Sequence, residues 1–433
     1  MSILSQLKQS QNTDFPNLRP SLDLRFALAK KLDPRITFTR GSTGTNFGSD
    51  GIMRTAGVNE PRFDHDPITG QSLGLLIEES RSNLLTYSED ISQYHSVDNA
   101  SISTNQITSP DGTTTADKLT STITGSSNTC LVQKYSAVAV NTATYTFSVF
   151  LKAGTSPQTT INLQLAGGTY QQSIATINWT SNTITSSSGG TSALTAYSNG
   201  WYRVSLTLTN NGTNNAIYPR VYVRGQGTDN VNGEFVYNWG WQTEEGAFPT
   251  SYIPTTASTV TRSADLASMT GTNFSSWYNQ SEGTIYLETD KLYPGNFDAY
   301  RHPYKIDSGS NADQITAYVG PGGTIITNYG IVTGGGRQVN DYQQINIGSS
   351  PIRYKLGQSV SSKYFFFTTS TGRVPPQLPS KSAPNTHNLS LATNMSRLFI
   401  GNNAGGGQIN SHISRLTYYP IQLTNQQLVN LTT

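Results

Sequence analysis

Between Lys291 and Tyr304 the chain gathers Tyr293, Phe297, Tyr300, Arg301, His302 and Tyr304 among proline and glycine. An aromatic ring offers a large apolar face on which the C–H side of a pyranose packs, and a guanidinium supplies donors for its hydroxyls. Aromatics on a loop are harder to bury than aromatics on a strand. Tyr293, Phe297, Tyr300, Arg301 and Tyr304 are therefore the candidate glycan-binding residues, set against the plainer alternative of a packed loop or a subunit contact. A second group, Phe235, Tyr237, Trp239 and Trp241, lies at every other position of one run. Alternation puts all four on one face of a strand, as the core of a sandwich sooner than as a sugar platform.

The carboxylates invite a different chemistry. Asp64 and Asp66 flank His65, and Glu78 adjoins Glu79; paired acids cleave glycosidic bonds when they face each other across the substrate. Adjacent residues of an extended chain point to opposite sides, so salt bridges with Arg62 and Arg81 are the expected use. Glu244 and Glu245 meet the same objection. His65, His95, His302, His387 and His412 show no paired metal spacing. Asp307 and Asp313 offer oxygens for calcium, yet no loop has the regular Asp/Asn spacing of a calcium motif, so no metal and no cofactor are expected. Gly320-Pro-Gly-Gly323 and Gly334-Gly-Gly336 lack the Gly-Lys-Ser/Thr of a phosphate loop and read as turns. Serine is so abundant that a Ser–His–Asp trio is expected by chance, and Asn178-Trp-Thr180 and Asn211-Gly-Thr213 carry little weight as glycosylation acceptors for the same reason. No catalytic residue is assigned, and the chain is expected not to be an enzyme.

Only 12% of the 433 residues are charged, about half the roughly 25% of an ordinary soluble domain. Solubility must then come from hydroxyls and amides. The formal net charge of +2 excludes the basic stripe that nucleic-acid binding demands. The N-terminus lacks a signal-peptide pattern, and Leu73–Ile77 is far short of a membrane span, so neither secretion nor membrane insertion is expected. With a single cysteine, Cys130, no internal disulfide framework exists. A chain of this length accommodates two or three domains.

Those domains are expected to be β. Residues 1–86 hold much of the charge, two candidate short helices at Ile3–Leu7 and Leu22–Leu32, and no even strand spacing. They read as an irregular attachment segment whose exposed Phe26, Phe63, Leu73, Leu75, Leu76 and Ile77 seek a partner. In Leu22–Leu28 a period of two competes with the helix. Residues 87–256 show short alternating runs between Ser, Thr, Asn and Gly clusters, the pattern of an antiparallel sandwich; the clearest strands are 145–152, 201–208 and 220–224. Residues 257–270 read as a linker. Residues 271–433 form a second sandwich with strands at 283–288, 396–401 and 413–419, closing on a capping box at Thr424-Asn-Gln-Gln427 that opens a short helix.

Three stretches carry a resemblance. Pro61-Arg-Phe-Asp-His-Asp-Pro67 with Leu73-Gly-Leu-Leu-Ile-Glu-Glu-Ser-Arg-Ser-Asn-Leu-Leu85 resembles a segment recurrent near the N-termini of tailed-bacteriophage structural and tail-fibre proteins. Asn199-Gly-Trp-Tyr-Arg-Val-Ser-Leu206 with Trp241-Gln-Thr-Glu-Glu-Gly-Ala-Phe-Pro-Thr-Ser-Tyr-Ile-Pro254 resembles the carbohydrate-binding-like jelly roll that follows it. Leu398-Phe-Ile-Gly401 with Gln408-Ile-Asn-Ser-His-Ile-Ser-Arg-Leu416 resembles the end of a concanavalin A-like, laminin-G-type sandwich, with Ser411 in place of the usual glycine. The resemblance implies an all-β virion protein, made in the host cytoplasm, with a jelly roll and a concanavalin A-like sandwich. It also implies a homotrimeric tail-fibre or spike component that attaches to other virion proteins through residues 1–86 and contacts host-surface glycans. A capsid decoration or head-fibre protein and a glycan-depolymerising tailspike are the alternatives.

Overall fold

A computed structural model describes residues 19–94, 96–126, 129–226, 229–292, 300–319, 325–333, 336–345, 352–361, 365–370 and 393–432. Strands make up 50% of the chain and helices 6%, so the molecule is all-β. Among the described residues no helix is long and apolar enough to cross a membrane. Four large antiparallel sheets pair into two sandwiches.

The first sandwich faces a six-stranded sheet against a seven-stranded one. The six strands run in the order Thr191–Ala196, Trp201–Thr209, Thr144–Ala153, Phe235–Glu245, Ala116–Ser121 and Ala100–Ile107. The other sheet orders Thr183–Ser188, Gln171–Asn178, Gln158–Ala166, Ala216–Tyr222, Leu131–Gln133 and Ser96–Asp98, with Ser136–Ala137 also on Ala216–Tyr222. Alternation sends Phe147, Val149, Leu151, Ile161, Leu163, Val204, Leu206, Ile217 and Val221 into one core between the sheets. Cys130 is buried at its edge.

Within the Phe235–Glu245 strand the alternation fails at Gly240. Opposite Thr144–Ala153 the pairing steps from Ser148↔Gln242 to Phe150↔Trp239, leaving one extra residue on the Phe235–Glu245 strand. Such a bulge reverses the facing of everything beyond it. Trp241 thus enters the inter-sheet core beside Phe147 and Tyr94, while Trp239 lies on the opposite face against Phe150 and Tyr252. The four aromatics do not share one face as alternation alone predicts. Gly240 sits at φ +64°, and a Cβ there would meet the Phe150 ring at 2.9 Å.

The second sandwich draws on both ends of the chain. One sheet orders Phe365–Ser370, Ile352–Ser361, Glu282–Leu292, Ser411–Tyr419, Ser72–Ile77 and Phe63–His65, with Leu22–Leu24 also paired to Ser411–Tyr419. The other begins with Thr37–Thr39, Leu266–Thr270, Arg397–Ile400 and Arg301–Asp307. Leu24, Phe26, Leu75, Ile77, Ala267, Met269, Leu287, Ile306, Leu398 and Leu416 form one core. Residues 19–86 are therefore not an irregular arm. Phe26, Leu73, Leu75, Leu76 and Ile77 are buried within their own chain, because their strands complete the C-terminal sheet. Likewise 257–270 is no free linker, since Val260–Arg262 pairs with Arg81–Asn83 and Leu266–Thr270 with Arg397–Ile400.

Smaller expectations divide. The stretch 22–32 splits into the strand Leu22–Leu24 and the single turn Phe26–Ala29; Ile3–Leu7 lies outside the described residues. The C-terminal helix spans Asn425–Thr432. Thr424 and Gln427 bond reciprocally, the Gln427 N–H donating to Thr424 Oγ1 at 3.3 Å and the Thr424 N–H to Gln427 Oε1 at 3.1 Å, as a capping box requires.

A buried charge cluster ties the parts together. Asp265 accepts from Arg40 at 3.1 Å and Arg62 at 2.5 Å, while Glu78 takes Arg62 at 2.7 Å, Arg262 at 3.3 Å and the Ser251 hydroxyl at 2.6 Å. Burial alone would raise the Glu78 carboxyl; Arg262 and Arg62 outweigh it and hold the group well below the usual carboxylate range.

Asp117 behaves oppositely. It accepts the Ile91 N–H at 2.9 Å and the Asn105 N–H at 3.0 Å, but burial dominates and pushes its carboxyl up to about 6. A carboxyl whose folded pKa lies above its unfolded value favours folding while protonated, and that advantage is lost as pH rises from about 4 through 6. The melting temperature of the jelly roll is expected to be higher at pH 4.5 than at pH 7.5, and Asp117→Asn should flatten that dependence. A melting temperature unaffected by Asp117→Asn across this range would refute the assignment.

Candidate functional site

Of the five candidate glycan residues, Tyr293 and Phe297 lie outside the described residues. Tyr300 is 53% exposed. Tyr304 is fully buried and donates to Gln358 Oε1, because it falls on the strand Arg301–Asp307, whose register pairs Tyr304 with Ile400 and Ala317. Arg301 is 5% exposed and bonded to Glu79. Neither Tyr304 nor Arg301 is presented to a sugar. His302 is also committed: its Nδ1 is 2.9 Å from Thr316 Oγ1, and burial, helped by Lys305, pushes its imidazole down to about 4.

The carboxylates serve packing. Glu78 and Glu79 form pairs with Arg62 and Arg81 respectively. Asp64 takes the Phe47 N–H at 2.6 Å and His412 Nε2 at 2.8 Å. Asp307 is bonded by Arg397 at 2.7 Å and Lys305 at 3.1 Å, so cations of the chain already occupy its oxygens, while Asp313 Oδ2 accepts from the Ser308 hydroxyl at 3.3 Å and the Asn394 amide at 3.4 Å. Among the described residues no cluster of three His, Cys, Asp or Glu is placed to hold a metal.

The strand pairings instead assemble an aromatic and amide surface on the outer face of the seven-stranded jelly-roll sheet. In Ala216–Tyr222 the residues Ile217 and Val221 turn inward, so Tyr218 and Arg220 turn outward, while Tyr222, on the same side of the strand, is covered and fully buried. Cross-strand register extends this face in rows. Gln133 and Asn162 flank Arg220 on its two sides, and Gln164 lies between Tyr218 and Gln172. The Tyr135 and Tyr218 rings are 5.5 Å apart, and the Arg220 guanidinium lies 5.9 Å above Tyr218.

Side-chain hydrogen bonds hold the surface in place. Arg220 Nε donates to Gln133 Oε1 at 2.6 Å, while Tyr170 Oη at 2.5 Å and Asn162 Nδ2 at 3.0 Å both donate to Gln172 Oε1. Asn162 Oδ1 is buried beneath the face with no partner among the described residues. Tyr135 and Tyr170 remain 47% and 55% exposed. The result is a surface of phenol rings and amides with one cation at its centre. Sequence reading misses it because its residues come from separate strands. The usable signals were short: Tyr218-Pro-Arg-Val-Tyr222 and Tyr170-Gln-Gln172, both alternating polar aromatic with amide or cation.

Neither a protein-family model nor a curated protein matches the chain. Among solved structures it is similar to the CBM40 module of a Ruminococcus gnavus IT-sialidase, at 11% identity and TM-score 0.27, over 37% of this chain and 88% of that one. That module has also been solved bound to alpha2,6 and alpha2,3 sialyllactose. Domains LG4-5 of the mouse laminin alpha1 chain match at 11% identity and TM-score 0.21, over 65% of this chain and 85% of theirs. The GH43B protein of a Bacteroides ovatus xyloglucan locus matches at 9% identity and TM-score 0.23, over 89% and 88%.

Proposed function

We propose that this chain is a non-enzymatic, glycan-binding structural protein of a tailed-phage particle, and that the tyrosine face of the jelly roll is its glycan surface. The observation that carries the glycan assignment is the grouping of Tyr135, Tyr170 and Tyr218 with the amides of Gln133, Gln164 and Gln172 around Arg220. Rings pack on sugar C–H faces, amides both donate and accept to hydroxyls, and the scarcity of charge avoids a desolvation penalty. The particle assignment is supported by the resemblance of residues 61–85 and 199–254 to phage virion proteins and by a surface kept soluble without charge. A trimer, as phage fibres form, would multiply weak single sites into useful avidity.

Tyr135→Ala together with Tyr218→Ala is expected to weaken retention on host-envelope polysaccharide in affinity electrophoresis by about tenfold or more, since a ring contact is worth roughly 0.5–1.5 kcal/mol. The melting temperature should stay close to that of the parent, because both rings stand outside the core. Unchanged retention would refute the surface. Release of reducing sugar from the same polysaccharide would make the chain a depolymerase, and imaging its position on the particle separates a fibre from a capsid decoration.

A further inference from the structure

Arginines with access to solvent are mostly spent on the chain's own acids. Arg25, Arg35, Arg54, Arg224, Arg397 and Arg415 each lie within 3.0 Å of a carboxylate oxygen. Arg220, in the middle of the tyrosine face, meets no carboxylate among the described residues. The row across the sheet reads Ser96, Gln133, Arg220, Asn162 and Ile174, so its neighbours are uncharged. The acid carried by the strands of this sheet is Asp98, which pairs with Leu131 on the far side of Tyr222. Two strand spacings and two residues along put its backbone about 12 Å away. That exceeds the roughly 8 Å over which exposed charges act at physiological salt.

Arg220 is also held still. Its Nε donates to Gln133 Oε1 at 2.6 Å, and its guanidinium lies 5.9 Å from the centre of the Tyr218 ring. A charge kept only for solubility needs no such mount, since pinning a long side chain costs conformational entropy. With Nε committed, the two terminal nitrogens form the remaining edge. Neither bonds a protein group among the described residues, and neither is closed off from solvent. That edge is a planar fork matched to the two oxygens of a carboxylate. The same bond orients Gln133: with Oε1 accepting, its Nε2–H is a neutral donor beside the fork.

These donors discriminate by charge. A sugar hydroxyl would receive an ordinary hydrogen bond, whereas a carboxylate receives a charge-assisted one, roughly twice as strong, and neutralises a cation that the chain leaves uncompensated. One cation balances one charge, which favours a carboxylate over a phosphate monoester carrying nearly two. We infer that the face selects acidic sugars: Arg220 and Gln133 hold the carboxylate of a uronic or comparable sugar acid while the Tyr135 and Tyr218 rings pack on its C–H side. Acid selection rests on the tyrosine face being the glycan surface, and gives that surface its class of sugar.

The test titrates the full-length chain, by saturation-transfer NMR, with the methyl glycosides of glucuronic, galacturonic and N-acetylneuraminic acid, with the methyl ester of each, and with galactose 6-phosphate. At least one acid is expected to bind saturably and about tenfold or more tighter than its own ester, the scale of one charge-assisted bond. Added salt should narrow that gap. Arg220→Gln should abolish it, and Arg220→Lys, which keeps the charge without the fork, should keep part of it; thermal melts of both variants verify the fold. Equal binding of acid and ester, survival of the gap in Arg220→Gln, tightest binding of the phosphate, or no saturable binding of any acid would each overturn acid selection. If one of these occurs while the Tyr135→Ala, Tyr218→Ala double variant still loses host-polysaccharide retention, the glycan surface stands and only its acid selectivity falls. Unchanged retention in the double variant refutes the surface itself.

Discussion

A fragment holding only residues 271–433 is expected to remain unfolded, whereas residues 81–262 are expected to fold alone. The C-terminal fragment lacks the strands Leu22–Leu24, Phe63–His65 and Ser72–Ile77 from one sheet, and Thr37–Thr39 and Leu266–Thr270 from the other. Its core loses Leu22, Leu24, Phe26, Leu75, Ile77 and Met269. At about 1.5–3 kcal/mol for each large buried side chain, the loss is roughly 9–18 kcal/mol, as large as the whole stability of an ordinary domain. The jelly roll keeps its own core, and its neck is closed by the Arg81–Asn83 and Val260–Arg262 pairing. Because Asn83 lies opposite Val260, replacing residues 87–256 with a short Gly/Ser linker should leave the second sandwich folded. Circular dichroism and amide-proton dispersion of the three chains are the measurement. A cooperatively folded 271–433 would refute the division.

Asp265→Ala is expected to cost about 3–5 kcal/mol, the range for removing one partner of a buried ion pair. The substitution leaves Arg40 and Arg62 buried without the carboxylate that joins them. Asp50→Ala breaks an ion pair of similar length, 2.7 Å to Arg54, but an exposed one, and no measurable change in stability is expected. The same cluster sets an acid limit. The Glu78 carboxyl is depressed in the folded state, so its contribution is complete above its ordinary value near 4.5 and is lost progressively as pH falls below it. Urea midpoints for both variants, and for the parent between pH 3 and pH 7, are the check. Equal effects of the two substitutions would show that burial does not govern these pairs.

Strands with long alternating runs were legible in the sequence. Those read at 145–152, 201–208 and 413–419 are found as Thr144–Ala153, Trp201–Thr209 and Ser411–Tyr419. Strands of three residues, such as Leu22–Leu24 and Phe63–His65, are too short to show a period, and what makes them strands is a partner up to 396 positions away, as in Leu22↔Tyr418. Local pattern holds no trace of such pairing, which is why residues 19–86 read as an arm. The Gly240 bulge misled in the same way, since one inserted residue leaves the apparent alternation of Phe235, Tyr237, Trp239 and Trp241 intact while reversing the last. Of the candidate site, ring chemistry was legible and location was not. The glycine and proline around Tyr304 predict a loop, yet it sits in the centre of a sheet.

The pairing of Leu22–Leu24 with Ser411–Tyr419 also governs how the chain emerges from the ribosome. At about 5–20 residues per second, the first strand waits roughly 20–80 s for its partner to be synthesised, with the entire jelly roll made in between. During that interval Leu22, Leu24, Leu75 and Ile77 lie on unpaired strand edges in the nascent chain. The jelly roll has no such delay, so it matures first and holds Arg81–Asn83 against Val260–Arg262 as a clamp at its base. That clamp shortens the loop that the late strands must close, and yield during expression will therefore depend on how quickly residues 271–419 follow.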